Sequence, residues 1–149
     1  MMKKFLTLIV LVCAMTSVSL PALAQVQQHK EFAAVDQTMK TLMQAFKAGR
    51  SDIAFQVLRK DAVVLGYVDK QQKIVTLSCE EWAQGFPGKP ADDEAQRYRQ
   101  YTILDISDTG AVVKVTLDYP LWLGVDYLAL SKIDGQWKIV SKSWSGTRK

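Results

Sequence analysis

Residues able to do acid–base or nucleophilic chemistry are few in this chain. Histidine occurs once, as His29, and cysteine twice, as Cys13 and Cys79. Zinc centres and Ser-His-Asp nucleophile activation therefore lose most of their raw material, and the pattern calls for no metal or cofactor. Cys79 has no histidine nearby to activate its thiol and reads as a small residue in the first turn of a short helix. Asp126 and Tyr127 are adjacent in an apolar run, and adjacent strand residues point to opposite faces, so one of the two can line a pocket. Tyr127 shares its face with Val125, Ala129 and Ile133 and is expected inward. Asp126, on the face of Leu128 and Lys132, is expected at the surface or a dimer contact, paired with a lysine. Lys138 and Lys142 are expected outward, alternating with Val140 on a solvated face.

The aromatic residues form the stronger pattern. Tyr67, Trp82, Tyr101, Tyr119, Trp122, Tyr127, Trp137 and Trp144 are too many for a simple small core. Trp137, just after a turn, reads as core. As a set the others suit an apolar-walled cavity with phenol and indole handles, as in small-molecule pockets. The expected lining is Met43, Tyr67, Trp82, Tyr101, Tyr119, Trp122 and Tyr127. Tyr119 and Trp122 are favoured because they flank Pro120 at a strand end.

The elements that would position these residues begin after an export signal. Met1-Met2-Lys3-Lys4, an apolar stretch from Phe5 to Met15 and Pro21-Ala22-Leu23-Ala24 give the three-part layout of a secretory signal peptide. Residues 1–24 are expected to be removed, leaving one domain over 25–149 in the periplasm or outside the cell. The apolar run is shorter than the roughly 20 residues a membrane-crossing helix needs, so no membrane association is expected after cleavage. The net charge of +4 drops by two with Lys3 and Lys4, and the remaining excess forms no basic run, which argues against nucleic acid. Cys13 leaves with the signal, so Cys79 has no partner for an internal disulfide.

Phe32, Val35, Met39, Leu42, Met43 and Phe46 recur at three- and four-residue spacing before Gly49, predicting an amphipathic helix over 29–48 with a left-handed C-cap. Ser51 and Asp52 cap a short second helix. The runs 62–68 and 74–77 read as a β-hairpin, Ser78 with Glu81 as a capping box opening a helix from Cys79 to about Phe86, and 89–95 as an exposed loop. Strands follow over 98–106, 111–119, 125–133 and 136–144. Ala111, Val113, Val115, Leu117 and Tyr119 lie on the buried face of the second, and Asp134-Gly135 is a hairpin turn between the last two. Helices set to one side of an antiparallel meander define the α+β class.

That order, with the ending Val125-Asp126-Tyr127-Leu128-Ala129-Leu130-Ser131-Lys132-Ile133-Asp134-Gly135-Gln136-Trp137-Lys138-Ile139-Val140, resembles the nuclear transport factor 2-like superfamily, and within it the "Putative lumazine-binding" family of small bacterial proteins. The resemblance implies a cone-shaped, strongly curved antiparallel sheet wrapped on the long first helix, an open mouth, and often a homodimer through the sheet. It does not select a function, because the fold hosts isomerases, dehydratases, cyclases and binding modules. In ketosteroid isomerases, which this superfamily includes, the aspartate base lies on the first strand. Here Asp61-Ala62-Val63-Val64 puts Gly66 at the matching position, leaving Asp69 as the first substitute base to consider. The expected function is an exported, non-catalytic small-molecule-binding module whose ligand, not identified by the sequence, is small and apolar or aromatic. One alternative is an isomerase- or cyclase-type enzyme using a pocket carboxylate. The other is an interaction protein or dimer using an outward sheet face of Val112, Leu128, Leu130 and Val140.

Overall fold

A computed structural model describes residues 22–68 and 72–149. Most of the expected signal peptide, residues 1–21, and the candidate base Asp69 lie outside the described residues. A short helix, α1 (Ala22–Gln27), packs its Val26 into the core, and the expected cleavage point after Ala24 falls within it. The long helix α2 covers Phe32–Ala48, three residues shorter at its start than its apolar spacing suggests. Val35, Met39, Leu42 and Ala45 form its buried stripe. Its end is set by Gly49, whose φ of 64° suits a residue without a Cβ. A Cβ there would also collide with the Lys89 carbonyl oxygen. A single turn, α3 (Ser51–Ala54), then leads into the sheet.

The strands are β1 (Leu58–Val68), β2 (Lys73–Leu77), β3 (Tyr98–Ile106), β4 (Gly110–Tyr119), β5 (Trp122–Ile133) and β6 (Gln136–Arg148), with α4 (Cys79–Ala83) between β2 and β3. They form one sheet in the order β2-β1-β6-β5-β4-β3, curved and unclosed. The α+β expectation holds, with one junction, β1 to β6, parallel rather than antiparallel. Register shifts at Leu58/Val63, Ile103/Asp105 and Ala129/Leu130 interrupt the ladders. Such bulges bend strands and raise local twist, which lets a sheet of this width wrap a helix. Asp134 and Gly135, at φ 49° and 77°, make the tight β5–β6 turn that was expected.

The concave face holds the core: Val64, Val113, Val115, Leu128, Leu130 and Ile139 are essentially inaccessible and meet the α2 stripe. Trp137 joins them, as its position after the turn suggests. Its indole N–H donates to Glu31 Oε2 at 2.9 Å, while Lys132 Nζ donates to Glu31 Oε1 at 2.8 Å. Glu31 thus ties the entrance of α2 to the β5–β6 hairpin. Thr38 adds a hydroxyl bond to the Trp137 carbonyl at 3.4 Å.

Lys132 first, and then Trp137, hold the Glu31 carboxyl below the ordinary glutamate range, against the opposing effect of burial. A carboxylate whose folded pKa is depressed contributes stability above its unfolded value and loses it as pH falls through the folded one. Glu31→Gln should therefore lower the urea midpoint at pH 7, and the gap to wild type should close below about pH 4. Urea unfolding at both pH values tests this, and a gap independent of pH would contradict it.

Candidate functional site

The site is built where α2 runs out and the sheet continues beyond it. At that end α4 crosses the opening, held by the expected capping box: Ser78 Oγ accepts from the Glu81 N–H at 3.1 Å and Glu81 Oε2 from the Ser78 N–H at 2.7 Å. Cys79, fully buried, donates its thiol to the Ala62 carbonyl at 3.2 Å, and burial pushes that thiol above its usual range. It anchors α4 and takes no part in the site. The helix presents Trp82, which meets Phe86 edge-on at 5.0 Å and Phe46, from the last turn of α2, edge-on at 6.1 Å between ring centroids. These three rings wall a cavity of about 540 Å³, within the usual size range of ligand pockets, roughly 300–1,000 Å³.

The opposite wall is polar. Arg97 just before β3, Arg99 of β3, Tyr119 of β4, Asp126 of β5 and Lys142 of β6 all line the same space. Arg97 and Arg99 place their guanidinium carbons 4.6 and 4.9 Å from the Tyr119 ring centroid, and Arg99 Nε donates to the phenol oxygen at 2.8 Å. Glu94 holds Arg99 through two bonds of 2.5 and 2.8 Å, and Asp93 accepts from Arg97 at 2.7 Å. Burial, reinforced by Asp126, raises the Tyr119 phenol pKa, although the two guanidinium groups pull it down.

Lys142 and Asp126 form an ion pair with side chains only 9% and 4% exposed. The Lys142 ammonium also lies 5.6 Å from the Trp82 ring centroid, within cation–π range. Burial lowers the lysine pKa despite the carboxylate beside it. A buried amine, a carboxylate in contact with it and a phenol thus face one aromatic-walled space. That set can bind a carbonyl or an acidic edge, move a proton, or attack an electrophile.

Of the seven expected lining residues, Trp82 and Tyr119 line this cavity. Met43 lies in a neighbouring depression that shares Arg97 and Arg99. Tyr101 donates to Asp36 Oδ1 at 2.6 Å beside a separate hollow under α1. Tyr67 and Tyr127 are on the convex face, 49% and 47% exposed. Trp122 faces inward but lies over Gly124 and Gly146, packed on Trp144 at 6.3 Å, beyond the lining residues.

The residues missed are those that carry the charge. Asp126 and Lys142, expected at the surface, are 3% and 8% exposed, and Leu128 and Leu130, expected on an outward face, are 2% exposed. On β5 the concave face is the Asp126-Leu128-Leu130 set rather than the Val125-Tyr127-Ala129 set, and on β6 the cause is one bulged residue. Trp137 and Ile139 point into the core, Val140 is left unpaired where the register shifts between Ala129 and Leu130, and from there Lys142 faces inward opposite Leu128. A one-residue shift moves every later side chain to the other face. Arg97 and Arg99 precede and open β3 and bore no signal in the sequence. Gly66 is backed by Trp144, whose indole an added Cβ would strike. Among the described residues no cluster of three His, Cys, Asp or Glu is placed to hold a metal.

Breaking a buried ion pair by removing one partner costs about 3–5 kcal/mol, whereas replacing both with apolar residues of similar volume is neutral or stabilising by about 1–4 kcal/mol. Lys142→Met and Asp126→Leu should each lower stability by the first amount, and the double variant should regain wild-type stability or exceed it. Urea unfolding of the four proteins measures this. A double variant as unstable as either single would show that the pair has a structural role the fold needs.

Comparison with known proteins agrees with this architecture. An NTF2-like protein of unknown function from Shewanella baltica superposes with a TM-score of 0.68 at 18% identity, over 80% of this chain and 96% of that one. One from Methylobacillus flagellatus gives 0.67 at 22% identity, over 78% and 92%. A ketosteroid isomerase-like protein from Erwinia carotovora atroseptica gives 0.54 at 15% identity, over 79% and 97%. At such identities these matches show the fold alone. A curated protein, Aldolase FrzH from a Cladobotryum species, is 30% identical over 115 residues, 75% of this chain and 88% of its own length. The family model described as "Putative lumazine-binding" matches residues 30–145, which spans α2 to β6 and every charged residue of the cavity, and the chain belongs to that family.

Proposed function

We propose that this protein is an exported binding protein that holds a small, flat molecule in the cavity between α4 and the sheet. The observation that carries the reading is the Lys142–Asp126 pair, buried beneath the Phe46, Trp82 and Phe86 rings. Aromatic walls favour a planar apolar body, and the pair offers an ammonium donor beside a carboxylate acceptor. A heteroaromatic ring with a carbonyl next to an N–H along one edge satisfies both. The family's name, with lumazine as its namesake, supports that ligand class.

An enzymatic reading is favoured by one further fact. The pocket carboxylate that such a reading needs is supplied by Asp126, and a relative at 30% identity carries the name aldolase. Self-association would use the convex sheet face, where Val63, Leu65, Tyr67, Val112 and Tyr127 are all more than a third exposed.

Lumazine, titrated by equilibrium dialysis, should bind saturably at one molecule per chain. Trp82→Leu should weaken it about tenfold, the equivalent of one aromatic contact of roughly 1.4 kcal/mol. Tyr127→Ala, on the convex face, should leave it unchanged. Failure of both lumazine and a plainer aromatic probe, benzyl alcohol, to bind would remove the reading.

A further inference from the structure

We infer that Lys142 is a nucleophilic amine that captures aldehyde or ketone ligands as a protonated imine, with Asp126 carrying the protons. The inference rests on the cavity being a ligand site and adds a covalent step to it. Three observations converge on it. Lys142 lines the cavity while its side chain is 9% exposed, so a carbonyl compound seated against Trp82 and Phe86 lies where bulk water does not compete for the amine. Asp126, in contact with the ammonium, is the base an attacking amine requires, and it is 3% exposed. Outside this contact no hydrogen bond occupies the inner carboxylate oxygen, which leaves it free to accept and return a proton. Burial also holds the lysine pKa below its usual range, which raises the fraction of neutral amine. The other ionisable groups facing the cavity are Glu81, Arg97, Arg99 and Tyr119, and both arginines are paired with carboxylates of their own, Asp93 and Glu94.

The step balances within the pair. Lys142 passes one proton to Asp126, and the nitrogen lone pair forms a C–N bond as the carbonyl π bond breaks. The new alkoxide takes the Asp126 proton, and the nitrogen then returns one to the carboxylate. Asp126 protonates the resulting hydroxyl, which leaves as water while the nitrogen lone pair closes the C=N bond. Amine and carbonyl have become iminium and water, and Asp126 is again a carboxylate paired with a cation. Hydrolysis by the reverse route releases the ligand.

Benzaldehyde with cyanoborohydride tests this, since hydride reduces an iminium to a stable benzylamine that peptide mapping locates. The wild-type chain should gain one benzyl group at Lys142, at least about tenfold faster than at exposed Lys60. Asp126→Asn, which keeps the side-chain volume, should slow labelling by more than any loss of affinity for benzyl alcohol, which cannot form an imine, measured on the same variant. Labelling of Lys142 no faster than Lys60, with benzyl alcohol still bound, overturns the imine and leaves the binding site standing. Loss of benzyl alcohol binding in the wild type overturns both. Fast labelling unaffected by Asp126→Asn overturns the proton-transfer role.

Discussion

Two opposite charges taken out of water are the constraint around which this molecule is arranged. Removing a lysine and an aspartate from solvent costs several kcal/mol per ion after relaxation, and their mutual attraction offsets that only when the contact is close. Lys142 and Asp126 meet this condition because β5 and β6 are adjacent strands whose register puts Lys142 opposite Leu128, one diagonal step from Asp126. The register follows from the Asp134-Gly135 turn and the unpaired Val140. Glu31 and Thr38 fix the same hairpin to α2, and Gly49 ends that helix before it can cover the pair. An apolar pair of similar volume is expected to fill the same space at no greater cost, and on that expectation the charges serve the proposed ligand rather than the fold.

The remaining walls follow the same division of labour. Aromatic residues come from the helical side, where the Ser78–Glu81 capping box sets the angle of α4 and so of Trp82. The cationic residues come from the strands and the approach to β3, each guanidinium already paired with a neighbouring carboxylate before it reaches the cavity. The result is a space polar on one side and apolar on the other, suited to a molecule with one hydrogen-bonding edge. Tryptophan also explains the glycines of the sheet: the indoles of Trp122 and Trp144 lie flat against Gly66, Gly124 and Gly146, where any Cβ would intrude.

Much of the fold was legible because its signals are local. The 3–4 spacing ending at Gly49, the Ser78–Glu81 box, the β4 alternation and the Asp134-Gly135 turn each encode their element within a few residues. Trp82 and Tyr119 were legible as cavity residues for the same reason. Asp126 and Lys142 were not: the facing of Lys142 depends on a bulge that leaves no compositional mark, since Val140 reads like any strand residue. On β5 the two faces, Val125-Tyr127-Ala129 and Asp126-Leu128-Leu130, are nearly equal in apolar content apart from the aspartate, and the aspartate argued for the wrong one. A carboxylate is a poor guide to facing when its counter-ion lies on the next strand.

Native mass spectrometry of the protein purified from an export-competent host, with no ligand added, decides whether the buried pair serves a bound molecule. The wild type should show a mass above that of the polypeptide, released on denaturation, and the folded Lys142→Met/Asp126→Leu variant should lack it. A bare wild-type polypeptide, or the same excess in both proteins, would contradict a ligand held by the pair.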